Sequence, residues 1–343
     1  MRRYTTLLLT AFLLFVLVVA GSAYLGGTGH VEEDAVMREL TVYTTLPAEH
    51  ADQLGKAYAQ ERHVRLNFVP LTRDELVRRA PGDSEAALVL ADEETLLRLS
   101  EAGAFTPYVS ETSDAVPAEF KQSEGAWTGV WYDPVVFAVN KDYLRTLREV
   151  PDTWTALAAA PGVRIGMTDF VAADASAHLL FSLIAEFGDA AAYDILRGIH
   201  PKVVQYTKYL SNPVRQVGMG EADISVAVAS EAFRYVSGGY PIRVVYPADG
   251  TAYLLTGAGI LAQCSEADRQ AAGRLIDWLL SDEAQLALAS QGFYFLTTNP
   301  ATLAYQSFPG KNIVLFQQFP RFTEAEKHAF LDRWVKYIRF SSP

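Results

Sequence analysis

Apolar and polar positions along the chain follow two periods that take turns. Residues 40–43 (Leu-Thr-Val-Tyr) predict a short strand. After Thr44-Thr45-Leu46-Pro47, helical spacing runs to about Glu61, with Leu54 and Tyr58 four apart on one face. A second strand is expected over 64–69, a polar helix over 73–79 and a third strand over 86–90. Asp92 then opens a helix over 93–102 that Gly103 closes. The scheme repeats in an apolar strand at 135–139, a strand at 164–167, a helix near 176–186 and a strand at 223–228. Strands alternating with helices at this pitch predict an α/β fold with a mostly parallel sheet. Further on, Ser265 and Asp282 begin two helices with capping-box-like spacing, the second ending near Gly292; Trp278, Leu279, Leu286 and Leu288 are read as core. A last helix over 323–340 carries Phe330, Trp334 and Tyr337 as an aromatic docking stripe.

Composition adds scale and sign. The chain has 343 residues, enough for about two domains at the usual domain size. Its formal net charge of -11 argues against a nucleic-acid groove, which needs clustered Lys and Arg. Cys264 is the single cysteine, so no internal disulfide can form. At the N-terminus, Arg2 and Arg3 precede an apolar run over 7–20 and the small residues Gly21-Ser22-Ala23, the order of an export signal; retention as a membrane anchor is the alternative. No cysteine follows the run, which excludes lipid attachment there. Without Arg2 and Arg3 the 29 basic residues become 27 against 40 acidic ones, so the exported body stands at -13. Residues 24–38 read as a tether.

In α/β sheets ligands bind beyond the carboxyl ends of the strands, where helix N-termini offer free N–H groups. Tyr43-Thr44-Thr45, Ala91-Asp92 and the small-residue run from Thr168-Asp169 to Ala175-Ser176-Ala177 sit at such places; each is either a helix cap or part of a cleft rim. Residues 127–134 (WTGVWYDP) and 247–253 (PADGTAY) suit connections between lobes. They are either turns with packed aromatics or places where rings and carboxylates hold a solute. The six histidines show no HxH or HExxH spacing, and GxSxG, GxxxxGK[ST] and GxGxxG are all missing, so no enzyme reading is supported.

Seven segments in order, 40–49 (LTVYTTLPAE), 87–105 (ALVLADEETLLRLSEAGAF), 116–121 (VPAEFK), 127–144 (WTGVWYDPVVFAVNKDYL), 150–157 (VPDTWTAL), 244–251 (VVYPADGT) and 279–299 (LLSDEAQLALASQGFYFLTTN), resemble the extracellular solute-binding proteins of ABC importers. Within these, the chain is similar to the ferric-iron, thiamine, phosphonate and sugar-phosphate binders. The resemblance implies a two-lobed α/β periplasmic binding protein of type II with a hinge, divided as 39–131 plus 256–305 and 132–255 plus 306–343. It implies a monomer without cofactor or catalysis that delivers its solute to an ABC permease outside the cytoplasmic membrane. Carried over residue by residue, it implies ligand contacts from Thr44, Thr45, Asp92, Trp131, Tyr132, Ala175, Ser176 and Asp249.

One departure narrows the ligand. Iron binders of this family carry adjacent tyrosines where this chain reads Val228-Ala229-Ser230-Glu231-Ala232-Phe233. Glu231, with Tyr206, Tyr209, Tyr235 or Tyr240, could supply oxygen ligands instead, or simply start an exposed helix beside packed tyrosines. The expectation is a small organic or phosphate-bearing solute held partly at the helix start by Ser176, with ferric iron or a ferric chelate, and then thiamine, as alternatives. An anchored ligand-sensing module of a signalling system is the rival from another class.

Overall fold

In the computed structural model the described residues are 38–146, 149–307 and 313–340. The export signal or anchor at 1–23 and nearly all of the tether at 24–38 lie outside them.

The first half-sheet grows as the sequence pattern predicts. Strand β1 (Glu39–Thr44) leads to helix α1 (Ala48–Arg62), strand β2 (Arg65–Pro70) to α2 (Arg73–Arg79), and β3 (Leu88–Asp92) to α3 (Glu93–Glu101). Both β2 and β3 pair with β1 in parallel. Leu54 and Tyr58 are buried on one face of α1, as their spacing requires. Pro47, rather than a threonine, stands at the start of α1, and no side chain caps it. Gly103 ends α3 at φ 66°, where a side chain would strain the backbone.

The segment 127–134 joins the lobes as expected, but as a strand rather than a turn. It runs straight into the apolar stretch as one strand, β4 (Thr128–Asn140), buried along its whole length. Its first half lies antiparallel to the strand β9 (Tyr253–Leu261), and its second half lies antiparallel to β7 (Ile224–Val228) and β8 (Ile242–Val245). Between come α4 (Trp154–Ala159), β5 (Ile165–Thr168), α5 (Asp174–Phe187), α6 (Asp189–Ile199), β6 (Val203–Thr207), α7 (Asn212–Gly218) and, after β7, α8 (Ala229–Ser237). Strand order is β2-β1-β3-β9-β4-β7-β5-β6, with β8 also on β4. The sheet is therefore mixed: β1–β2, β1–β3, β5–β6 and β5–β7 are parallel, and every pair made by β4 or β9 is antiparallel.

Apolar side chains collect on either side of this crossing. One core takes residues from 40–132 together with 255–293, and another takes residues from 135–252 together with Phe316, Trp334 and Ile338. In the second half of β4, Val135, Phe137 and Val139 face that second core while Val136 and Ala138 face a smaller one under α7 and α8. This period-2 split explains why the stretch is apolar without a break. We call the two bodies lobe 1 and lobe 2.

The chain closes with α9 (Glu266–Leu279), α10 (Asp282–Ala289) and α11 (Glu324–Trp334). Ser265 and Ser281 cap the first two by accepting from Asp268 N and Ala284 N. Trp278, Leu279 and Leu288 are core, but Leu286 is 72% exposed, so it does not belong there. In α11 Trp334 is fully buried in lobe 2 and Phe330 packs beside it, whereas Tyr337 is 59% exposed. The turn after Trp334 widens to π geometry over Val335–Arg339, which brings Ile338 inward in place of Tyr337.

Candidate functional site

Beyond β1 and β3, the loops at Thr45 and Asp92 are tied together: Asp92 N donates to Thr45 Oγ1 at 3.3 Å. Thr44 is completely buried, donating to Leu90 O at 2.7 Å and accepting from Leu46 N at 3.0 Å. Asp92 caps α3, accepting from Thr95 N at 3.0 Å and Thr95 Oγ1 at 2.8 Å, and pairs with Arg73 at 3.3 Å. These groups build the rim, and their hydrogen-bonding capacity is largely spent within the chain.

The crossing strand splits its two aromatics by pleat. Trp131 turns into lobe 1 and meets Phe293 edge-on at 4.8 Å between ring centres. Tyr132, on the opposite face, stacks on Phe120 at 5.2 Å and stands edge-on to Tyr253 of β9 at 6.4 Å. The hydroxyls of Tyr132 and Tyr253 have no hydrogen-bond partner among the described residues. Burial raises both phenols above the usual tyrosine range, and nearby Glu93 and Glu119 add to this at Tyr253.

Three carboxyls lie near the crossing, Glu93 acting on Tyr253 and Glu231 on Asp133. Glu93, in the first turn of α3, is pushed up to about 8, chiefly by burial; Arg321 opposes this and Asp92 adds to it. Asp133, one residue beyond Tyr132, is buried and pushed up to about 7 by burial, even though Ser230 donates to it from N at 2.9 Å and from Oγ at 2.6 Å. Glu231, in the first turn of α8, is partly buried and paired with Arg234; burial raises its pKa, Arg234 opposes, and Glu49 of α1 adds to the rise. His50 of α1 in turn feels Arg234. The starts of α1 in lobe 1 and α8 in lobe 2 thus act on each other's charges, and α1, α3 and α8 all follow the carboxyl ends of β1, β3 and β7 beside the crossing strand, where α/β folds form ligand clefts. On the other flank, half-buried His178 of α5, whose pKa burial lowers to about 4, donates from Nε2 to Tyr253 O at 3.1 Å.

The remaining expected residues have structural partners. Ser176 Oγ lies 2.8 Å from Asp169 O and 2.7 Å from Ala173 O, so the hydroxyl beside Ala175 at the start of α5 is turned onto its own loop. Asp249 accepts from Trp154 N at 3.0 and 3.2 Å and so holds the start of α4, while Trp154 Nε1 donates to Gly250 O. Tyr206 bonds His200 and lies under Arg339, Tyr235 packs edge-on to Tyr240, and Tyr209 is 62% exposed. Among the described residues no group of three His, Cys, Asp or Glu side chains is placed to hold a metal. Glu93, Asp133 and Tyr253 are the cleft residues that sequence reasoning passes over. Glu93 is hidden by the stronger cap signal of Asp92, and Asp133 and Tyr253 lie inside segments whose rings and carboxylates are read as candidate solute contacts without being singled out.

Two α/β lobes joined through shared strands, with a polar and aromatic cleft at the crossing, define a periplasmic binding protein of type II. The chain belongs to the bacterial extracellular solute-binding protein family, whose profile matches residues 53–310. A Haemophilus influenzae protein described as uncharacterized is 26% identical over 97% of this chain and 96% of its own length. The periplasmic binding protein AfuA from Actinobacillus pleuropneumoniae, solved with fructose-6-phosphate, superposes at a TM-score of 0.66 with 21% identity, covering 88% of this chain and 99% of that one. Iron-bound HitA from Pseudomonas aeruginosa superposes at 0.66 with 19% identity over 86% and 98%. Ferric iron-binding protein A from Mannheimia haemolytica, in an open conformation, reaches 0.67 with 16% identity over 89% and 100%. Among the described residues no helix is long and apolar enough to cross a membrane.

Proposed function

We infer that this protein captures a small organic solute in the cleft between its lobes and delivers it to an ABC permease outside the cytoplasmic membrane, without catalysing a reaction on it. The moving bodies in this reading are 39–131 plus 256–305 and 132–255 plus 306–343. The observation that carries it is the pair of unpartnered hydroxyls on Tyr132 and Tyr253 at the crossing, with Glu93 beside them. Convergent polar groups on aromatic walls suit a ligand that fits rings and offers hydrogen bonds. Glu93, pushed up to about 8, is largely protonated near neutrality and Asp133, at about 7, is about half so, and in that form each can donate as well as accept.

The ligand class this favours is hydroxyl- or amine-bearing. A phosphate group draws less support, because Arg73 and Arg234 are already paired with carboxylates and the Ser176 hydroxyl faces its own loop. Arg321, near Glu93, is the cation through which a sugar phosphate such as that bound by AfuA would be accommodated. Ferric ion is a second reading, supported by the hard oxygen donors Tyr132, Tyr253, Asp133 and Glu231 around one cleft. Titration calorimetry of residues 24–343 against sugars, sugar phosphates, polyamines, thiamine and ferric citrate separates these. Binding of a sugar or amine that is lost in Glu93→Gln supports the first reading, and a visible tyrosinate-to-iron absorption on adding ferric citrate would replace it with the second.

A further inference from the structure

Helix α11 is fastened to the two lobes by different physics. Toward lobe 2 the attachment is a buried apolar face: Trp334 is fully buried, with its ring 4.7 Å from Phe170 and Nε1 donating to Asp169 at 3.1 Å. Arg339 Nε donates to the same carboxylate at 2.8 Å, and Tyr193 donates to Phe330 O at 2.7 Å. The segment leading into the helix stays with lobe 2 as well, since Glu186 of α5 accepts from Gln317 N and Gln318 N. Toward lobe 1 the attachment is ionic. Lys327 Nζ lies 2.6 Å from Glu94 of α3, and Glu324 lies 2.6 Å from Arg98 of the same helix. Arg98 also pairs with Glu94 at 2.7 Å, and Arg73 joins Glu94 at 3.4 Å to Asp92 at 3.3 Å. Lys327 is only 12% exposed and Glu94 26%, whereas Arg98 is 34% and Glu324 62% exposed, so the outer pair is open to salt.

Burial of a tryptophan survives added salt, whereas partly exposed ion pairs weaken with it. Any rotation between the lobes must then leave α11 on lobe 2 and open the contact with α3. We propose that α11 is an interlobe latch, in which Lys327 and Glu324 are positioning residues that hold α3, and with it the cleft residues Asp92 and Glu93, in the arrangement seen here. The inference rests on the hinged-capture reading but is tested without any solute.

Two labels report the lobe separation in solute-free protein, on Glu61→Cys in lobe 1 and Glu221→Cys in lobe 2, in a Cys264→Ser background. Raising salt from about 50 mM to about 500 mM is expected to move the distance distribution away from its low-salt position, and Lys327→Met is expected to produce the same shift already at low salt. Arg98→Glu alone should shift it too, and Arg98→Glu with Glu324→Arg should restore it, a rescue that a general loss of folding would not give. A distribution unmoved by salt, by Lys327→Met and by Arg98→Glu overturns the latch. A shift without binding of any solute in the panel leaves the latch standing and removes only the capture reading.

Discussion

Asp133 grips Ser230 twice, at its backbone N and at its hydroxyl, and so clamps the crossing strand to the first turn of α8 in lobe 2. Its carboxyl titrates at about 7 in the fold, against 3.8 unperturbed, because burial outweighs both hydrogen bonds. A carboxyl raised in this way keeps its proton longer in the native state. Its contribution to stability is full below the unperturbed value and is lost as pH rises through the folded one. Asp133→Asn mimics the protonated form and removes this dependence. Between about pH 5 and about pH 8, chemical denaturation should show the wild type losing roughly 2 kcal/mol more than the variant.

At Tyr132 and Tyr253 the two effects of a hydroxyl separate. Because neither hydroxyl has a hydrogen-bond partner among the described residues, Tyr132→Phe and Tyr253→Phe should leave thermal stability unchanged or slightly raised. The same changes should weaken solute binding by about fivefold to tenfold each, one hydrogen bond's worth, in calorimetry. Loss of stability with intact binding would place these hydroxyls outside the site.

Gly129 allows the crossing strand to pass. A Cβ there would meet Phe120 O at 2.6 Å and Leu255 Cδ1 at 2.9 Å, and the backbone oxygen cannot swing away. Gly129→Ala should cost about 2 kcal/mol or more in denaturant unfolding. Gly82→Ala, where nothing lies within 4 Å, should stay within about 0.5 kcal/mol.

Truncating Trp334→Ala removes the apolar anchor of α11. A loss of about 3–5 kcal/mol is expected for lobe 2, read by urea denaturation followed through near-UV signals. If the loss is under about 1 kcal/mol, the buried ring does not hold the helix as its packing indicates.

Lobe 1 was legible where a local signal and its role coincide. Asp92 before an apolar period and Ser265 three residues before Asp268 mark helix starts that need no distant partner, and both caps form. The crossing strand was legible as a connection between lobes but not, from its residues, as one unbroken strand, because Gly129 and Pro134 carry turn signals that tertiary pairing with β9 overrides. Tyr337 misled for a different reason: helical spacing assumes 3.6 residues per turn, and the widened turn after Trp334 breaks that assumption. The cleft itself is the hardest part to read. A Ser, Thr or Asp oxygen at a strand end serves a cap or a ligand equally well, and only the folded contacts of Thr44, Ser176 and Asp249 show how their oxygens are used.

Pro134 stands where β4 leaves one half-sheet for the other, opposite Tyr253. A proline has no N–H to donate, so the ladder loses a rung at the changeover, while the residues on either side stay locked in register. Sliding of one lobe along the other would break both registers at once, whereas twisting about this point would break neither. For the hinged capture proposed above, the missing rung makes this point the least costly place to twist.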